Sequence, residues 1–258
     1  MTRALISAAL LAATLATATT AAPDIPVTAE LLPGWREDGR HIAGLRLVLD
    51  PGWKTYWRAP GDAGIPPAFD WSRSSNLKGA EVAFPVPGVF DVSGVTTIGY
   101  QDEVVFPLTL MPADAAMPIT LDAEVQIGVC EDVCIPVTFR VSGDLPPGGA
   151  PDAALAAARA DQPRRGGTMT CRIAPIADGL RLEVEVAMPV MAGAAQPVIE
   201  TADPSVWVSP AEVAVSGGRM SAVVELVPPD AVPFALERDG LRLTLIGQGD
   251  AVEMRGCD

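Results

Sequence analysis

Between residues 41 and 141 the apolar side chains come in short alternating runs, and each run stops at a proline or glycine turn. Alternation with period two marks a strand buried on one face. It occurs at 41–49, 104–110, 119–129 and 135–141. The separating turns are Asp50-Pro51-Gly52, Pro60-Gly61-Asp62, Pro87-Gly88 and Met111-Pro112. With 24 Gly and 25 Pro among 258 residues, many short strands are favoured over long helices. The fold class read from this pattern is all-β, built from immunoglobulin-like antiparallel β-sandwiches.

The length suits two sandwiches better than one. Region one, 23–146, holds every Trp except Trp207, both Tyr and five of the six Phe. Region two, 168–258, repeats the strand pattern at 180–187, 205–208, 220–227 and 241–246 but has few aromatics. Between them, 147–167 reads as a linker. Leu145-Pro146-Pro147-Gly148-Gly149 breaks the first region, and an Ala-rich stretch near Asp152 forms a brief helix. Residues 1–22 read as a signal peptide. Arg3 is the charged start, 5–18 the uncharged Ala/Leu stretch, and Thr20-Ala21-Ala22 the small-residue cleavage site. No later run reaches the roughly 18 apolar residues of a membrane span. The mature chain is therefore expected to be exported, in a bacterium to the periplasm, where disulfides persist. Its formal net charge of −14 repels nucleic acid and anionic lipid, so no nucleic acid partner is expected.

Four cysteines in an exported chain imply two disulfides. Cys130 and Cys134 lie four residues apart between two strand-like runs, so a hairpin brings them within bridging range. Cys171 and Cys257 then join the start and end of region two. In the chain-entropy model a loop of about five residues contributes roughly 2 kcal/mol, and one of about 87 residues roughly 4.6 kcal/mol. The long bridge is the structural staple. The short one stabilises little, and the tight loop favours its reduction. Glu131 and Asp132 stand between its two sulfurs, and nearby carboxylates raise a thiol's pKa. No Lys, Arg or His is adjacent in sequence to oppose them. A distant cation folded beside the pair, such as Arg58, would reverse that. His41 is the only His, which leaves no His-based triad or metal site. No metal and no cofactor is expected.

The motifs Pro51-Gly52-Trp53-Lys54-Thr55-Tyr56-Trp57-Arg58, Pro60-Gly61-Asp62-Ala63-Gly64-Ile65-Pro66-Pro67, Phe69-Asp70-Trp71, Gly99-Tyr100, Asp102-Glu103-Val104 and Cys130-Glu131-Asp132-Val133-Cys134-Ile135-Pro136 occur in that order. In them region one resembles the N-terminal periplasmic domain of the DsbD thiol:disulfide interchange family, with its nearest likeness in the branch called suppressor of copper sensitivity protein B. The resemblance implies a reversible, catalytic disulfide at Cys130 and Cys134 and a cap loop over it. By order along the chain the cap falls at 90–95, with Phe90, Asp91 and Val92 beside the site and the shielding role on Phe90, Val92 or Val95. Tyr56 and Tyr100 are candidates to flank the pair. The 258 residues carry neither the family's membrane-embedded conductor nor its thioredoxin-like domain, so the implied partners are such a reductase and disulfide-bearing periplasmic clients. Cys134 is the favoured sulfur for client exchange. Two other roles use the same scaffold: a non-catalytic binding module, and copper tolerance through Cu(I) on the reduced thiolates.

Overall fold

The computed structural model describes residues 25–258 apart from 62, 93, 189, 190 and 192–194. The signal-peptide reading of 1–22 therefore lies outside the described residues. The first sandwich is built from β1 (Val27–Glu37), β2 (Arg40–Leu49), β3 (Lys54–Gly61), β4 (Ala68–Asp70), β5 (Leu77–Val82), β6 (Gly88–Val92), β7 (Val95–Gln101), β8 (Glu103–Pro112), β9 (Ile119–Cys130) and β10 (Cys134–Leu145). One sheet has the order β1-β2-β8-β5, the other β10-β9-β3-β7-β6 with β4 laid on β9. Every pairing between them is antiparallel.

Strand β9 shows why these residues make a sandwich. Ile119, Leu121, Ala123, Val125, Ile127 and Val129 alternate along it and all enter one core. Leu45, Leu47, Phe106, Leu108 and Leu110 face them from the opposite sheet, and Trp57 of β3 is fully buried among them. Each such aliphatic burial contributes on the order of 1.5–3 kcal/mol. A one-residue slip of β9 would turn all six out to water, so its register is strongly specified.

The segment 147–167 is docked, not a free linker. Helix α1 (Ala153–Ala160) starts where the Asp152 carboxylate accepts a hydrogen bond from the Leu155 N–H at 2.9 Å. Leu155 is buried against Leu32, Ile42 and Val105 of the first sandwich. It fits because Gly44 has no side chain; a Cβ there would stand 3.1 Å from the Leu155 methyl. Arg159 also pairs with Glu37 at 3.0 Å.

The second sandwich comprises β11 (Arg164–Arg165), β12 (Met169–Ile176), β13 (Gly179–Ala187), β14 (Gln196–Glu200), β15 (Trp207–Val208), β16 (Glu212–Ser216), β17 (Arg219–Val227), β18 (Arg242–Ile246) and β19 (Ala251–Arg255). Its sheets run β11-β19-β18-β14 and β12-β13-β17-β15, with β16 also on β17. Leu182, Val184, Leu226, Leu243 and Leu245 form its separate core. The Cys171–Cys257 disulfide joins β12 to the chain's end. The Cys171 N–H donates to the Asp258 carbonyl at 3.0 Å, which extends the same staple.

The sandwiches meet at β3. Ile246 and Ala251 of the second join the core of the first. Above them the Arg58 guanidinium stacks on Trp57, 3.8 Å from the ring centroid. It donates to Glu200 at 3.0 Å and to Glu253 at 2.9 Å. Arg242 and Arg255 close on Glu253 from its own sandwich. Burial raises the Glu253 pKa, but the Arg255 hydrogen bond and the Arg242 and Arg58 charges outweigh it, and the net shift is downward. A lowered carboxylate stabilises the fold fully above its ordinary pKa of about 4.3 and loses that contribution as pH falls through the lowered value. Glu253→Gln leaves the Arg58 and Arg242 guanidiniums to Glu200 alone and takes the carboxylate away from Arg255. It is expected to cost about 3 kcal/mol in urea unfolding at pH 7, and to remove part of the wild-type loss of stability below about pH 4.

Candidate functional site

The pleat that buries Val129 turns Cys130 to the outer face of the sheet. The ladder of β9 with β10 then pairs Cys134 directly with Cys130, and the ladder of β9 with β3 pairs Cys130 with Lys54. Cys134, Cys130, Lys54 and, on β7, Gln101 thus form one row across four strands. Directly paired residues present their side chains on one face. Cys130 and Cys134 are disulfide-bonded, with Cα atoms 4.1 Å apart. The two cysteines differ in exposure. Cys130 is 8% exposed, whereas Cys134 lies among the exposed residues of the hairpin tip, where Val133 is 70% exposed.

Tyr56 reaches this row. It lies on the same outer face of β3 as Lys54, and its hydroxyl stands 2.9 Å from the Cys134 Sγ. A disulfide sulfur carries no hydrogen, so the phenol donates. Burial pushes the Tyr56 pKa up, which keeps that donor protonated. The ring occupies a slot made by two glycines. A Cβ on Gly128 would come within 2.9 Å of it, and one on Gly64 within 2.8 Å. Ile65 closes the slot, 2.8 Å from the same Gly128 position.

The acidic insert sits at the rim. Glu131 and Asp132 are exposed in the turn. Gly52, at φ +89°, brings its backbone so close that a Cβ there would meet the Glu131 carboxylate at 2.9 Å. On the other side stands the β6–β7 hairpin. Phe90 folds back over Gly88, where a Cβ would stand 3.0 Å from its ring edge. The Lys54 ammonium is 5.4 Å from the Phe90 ring centroid. Asp91 accepts a hydrogen bond from the Gly94 N–H at 3.2 Å and so shapes the hairpin turn. Val95 is exposed and pairs with Val92; the Val92 side chain and Ser93 lie outside the described residues.

One expectation is corrected, and one alternative is not met. Tyr100 does not flank the disulfide. It pairs with Thr55 and so takes the inward parity; its hydroxyl donates to the Pro85 carbonyl at 2.8 Å, and its ring meets Phe106 edge to face. Burial drives its pKa well above the ordinary value. Nor does Arg58 fold in beside the pair, since its guanidinium is held by the second sandwich. The cation opposite Cys130 is Lys54, which sequence reasoning passes over. The one available signal is its spacing of two from Tyr56, which puts both on one strand face. His41 is buried and bonds the Pro33 carbonyl through Nε2 at 2.6 Å. Met188 and Met191 pack against the second core. Among the described residues no group of three or more His, Cys, Asp or Glu is placed to hold a metal ion.

Residues 25–145, which carry this site, match the sequence profile of the family described as thiol:disulfide interchange protein DsbD, N-terminal. The first sandwich belongs to the DsbD N-terminal family. The chain is similar to the crystal structure of the N-terminal periplasmic domain of ScsB from Proteus mirabilis. That likeness has a TM-score of 0.60 and 25% identity, and covers 89% of this chain and 90% of the other. No curated protein matches the sequence. The DsbD N-terminal assignment makes the first sandwich a thiol:disulfide interchange module. The second sandwich falls outside the profile but inside the likeness to the ScsB domain. Among the described residues no helix is long and apolar enough to cross a membrane.

Filling the glycine slot tests how this DsbD N-terminal domain seats its tyrosine. Gly128→Ala is expected to cost about 1–3 kcal/mol in chemical unfolding through overpacking. A crystal structure of the variant is expected to show the Tyr56 ring displaced and its hydroxyl no longer within hydrogen-bond reach of the Cys134 sulfur.

Proposed function

We propose that the Cys130–Cys134 disulfide is a reversible redox centre that relays electrons from a membrane-bound or thioredoxin-like reductase to disulfide-bearing clients. The observation that carries this reading is the asymmetry of the pair: an exposed Cys134 whose sulfur receives a phenolic hydrogen bond, beside a shielded Cys130. A staple of this sandwich would gain nothing from that access, because the register of β9 and β10 already holds the two strands together over twelve pairs.

In the reductive half, a partner thiolate attacks the Cys134 Sγ in line with the S–S bond. That bond breaks, a mixed disulfide forms, and Cys130 leaves as a thiolate. A second partner thiolate attacks the partner's sulfur in the mixed disulfide and releases Cys134 as a thiolate. The partner ends as a disulfide, and this domain holds two electrons and takes up two protons. Before that proton uptake, Tyr56 supports the departing Cys134 thiolate through its hydrogen bond. The oxidative half runs the same steps backwards on a client: Cys134 attacks, and Cys130 resolves. In this reading Phe90 and Asp91 belong to the cap that limits access, and Glu131 and Asp132 form the acidic rim that disfavours exchange with stray disulfides.

The compartment follows from the same reading: an exported chain working in the periplasm, like the periplasmic domain of ScsB. The proposed division is a signal peptide at 1–22, a redox domain at 23–146, a connecting segment at 147–167 and a structural second sandwich at 168–258 stapled by Cys171–Cys257. The activity is that of a protein-disulfide reductase module that depends on a partner.

Equilibration with glutathione and quantitation of free thiols tests the reading. The Cys130–Cys134 midpoint is expected above about −300 mV, the range below which structural disulfides fall, while Cys171–Cys257 stays oxidised as an internal control. Cys130→Ala is expected to trap mixed disulfides through Cys134. A midpoint as negative as that of the staple, with nothing trapped by either single-Cys variant, removes the redox role.

A further inference from the structure

We propose that Lys54 is the positioning cation of the redox pair: its ammonium stabilises Cys130 as the thiolate leaving group when Cys134 is attacked, and the Phe90 ring holds it in place. The proposal rests on the redox reading above and assigns the residue that sets the balance of charge at that site.

The register supplies the first observation. Lys54 is the direct cross-strand partner of Cys130 on the side away from Cys134. Its side chain therefore leaves the sheet on the face that carries the disulfide, at the separation of paired residues. The contact pattern supplies the second. Most of the arginines engage carboxylates, as at Arg46, Arg58, Arg140, Arg159 and Arg172. Lys54, one of two lysines in the sequence, pairs with no carboxylate among the described residues; its contact is the face of Phe90. An ammonium over an aromatic face keeps its charge and its hydrogen-bond donors. It is thus free to meet an anion that exists only during the reaction.

The neighbouring groups define what that charge opposes. The turn contributes Glu131 and Asp132, and β6 contributes Asp91 beyond Phe90. On β3 the neighbour is Tyr56, which serves the other sulfur. Strand β7 brings the uncharged Gln101, and β10 brings Cys134 itself. Lys54 is the cation in this row of four, and its register partner is the less exposed cysteine, where solvent screens a charge least. The acidic rim then disfavours stray exchange at the surface, while departure of Cys130 stays easy once a partner has docked. The chemistry is the step already balanced: the Cys134–Cys130 bond breaks, its electron pair goes to Cys130, and no proton is needed at that moment because the adjacent charge is positive.

The test uses the full chain with Cys134→Ala, so that Cys130 is the one titrating thiol while Cys171–Cys257 stays bonded. Thiolate absorbance against pH is recorded with Lys54, Lys54→Met and Lys54→Arg. Lys54→Met is expected to leave about tenfold less Cys130 thiolate at neutral pH, equivalent to a titration midpoint about one pH unit higher. Lys54→Arg is expected to restore most of it. With both cysteines present, Lys54→Met is expected to slow reduction by dithiothreitol several-fold at unchanged unfolding midpoint. Coincident Cys130 titrations in all three proteins overturn the proposal. The titration needs no exchange activity, so a disulfide inert to dithiothreitol in every variant counts against the redox reading, whereas equal titrations count against Lys54 alone.

Discussion

The pleat of β9 governs the redox end of the molecule. Six apolar side chains at period two commit one face of the strand to the core, and the cost of exposing them holds the register. Cys130 follows the last of them, so its outward direction is decided by hydrophobic burial along the strand before it. Antiparallel pairing then carries the constraint sideways, to Cys134 on one neighbour and Lys54 on the other. The site is a row of a ladder, and its geometry is as rigid as the sheet beneath it.

Glycine shapes the outer face as strongly as apolar residues shape the inner one. Gly128, Gly64 and Gly88 leave the space into which Tyr56 and Phe90 lie down. The two rings flank the row, one giving a hydrogen bond to sulfur and the other seating an ammonium. Strand β3 carries Lys54 and Tyr56 at this end and Arg58 at the contact with the second sandwich. The second sandwich, which lacks a reactive group in this reading, thereby braces the strand that supplies two of the site's polar side chains. Burial of Ile246 and Ala251 in the first core makes that contact more than an ion-pair surface.

Much of this architecture is legible in the amino-acid sequence alone. Alternation and turn residues indicate the all-β class and the two sandwiches, because a strand half-buried on its own sheet must alternate. The two disulfides follow from spacing. Tyr100 and Arg58 escape such reading for a common reason. Tyr100 sits on a different strand from Tyr56, and parity between strands depends on their register. Arg58 finds its carboxylates 142 and 195 residues away, beyond any local pattern. Segment 147–167 reads as a linker because its one core side chain, Leu155, carries no periodic signal alone.

By itself the sequence determined the outward parity of Cys130, the closeness of Cys134 and the acidic turn between them, since each depends on a few neighbouring residues and on the strand's pleat. Only the tertiary structure decided which cation faces Cys130, which tyrosine touches Cys134 and what holds β3 from behind. Those are outcomes of strand register and sandwich packing. They are set by the summed burial of two cores and not by any one segment's preference.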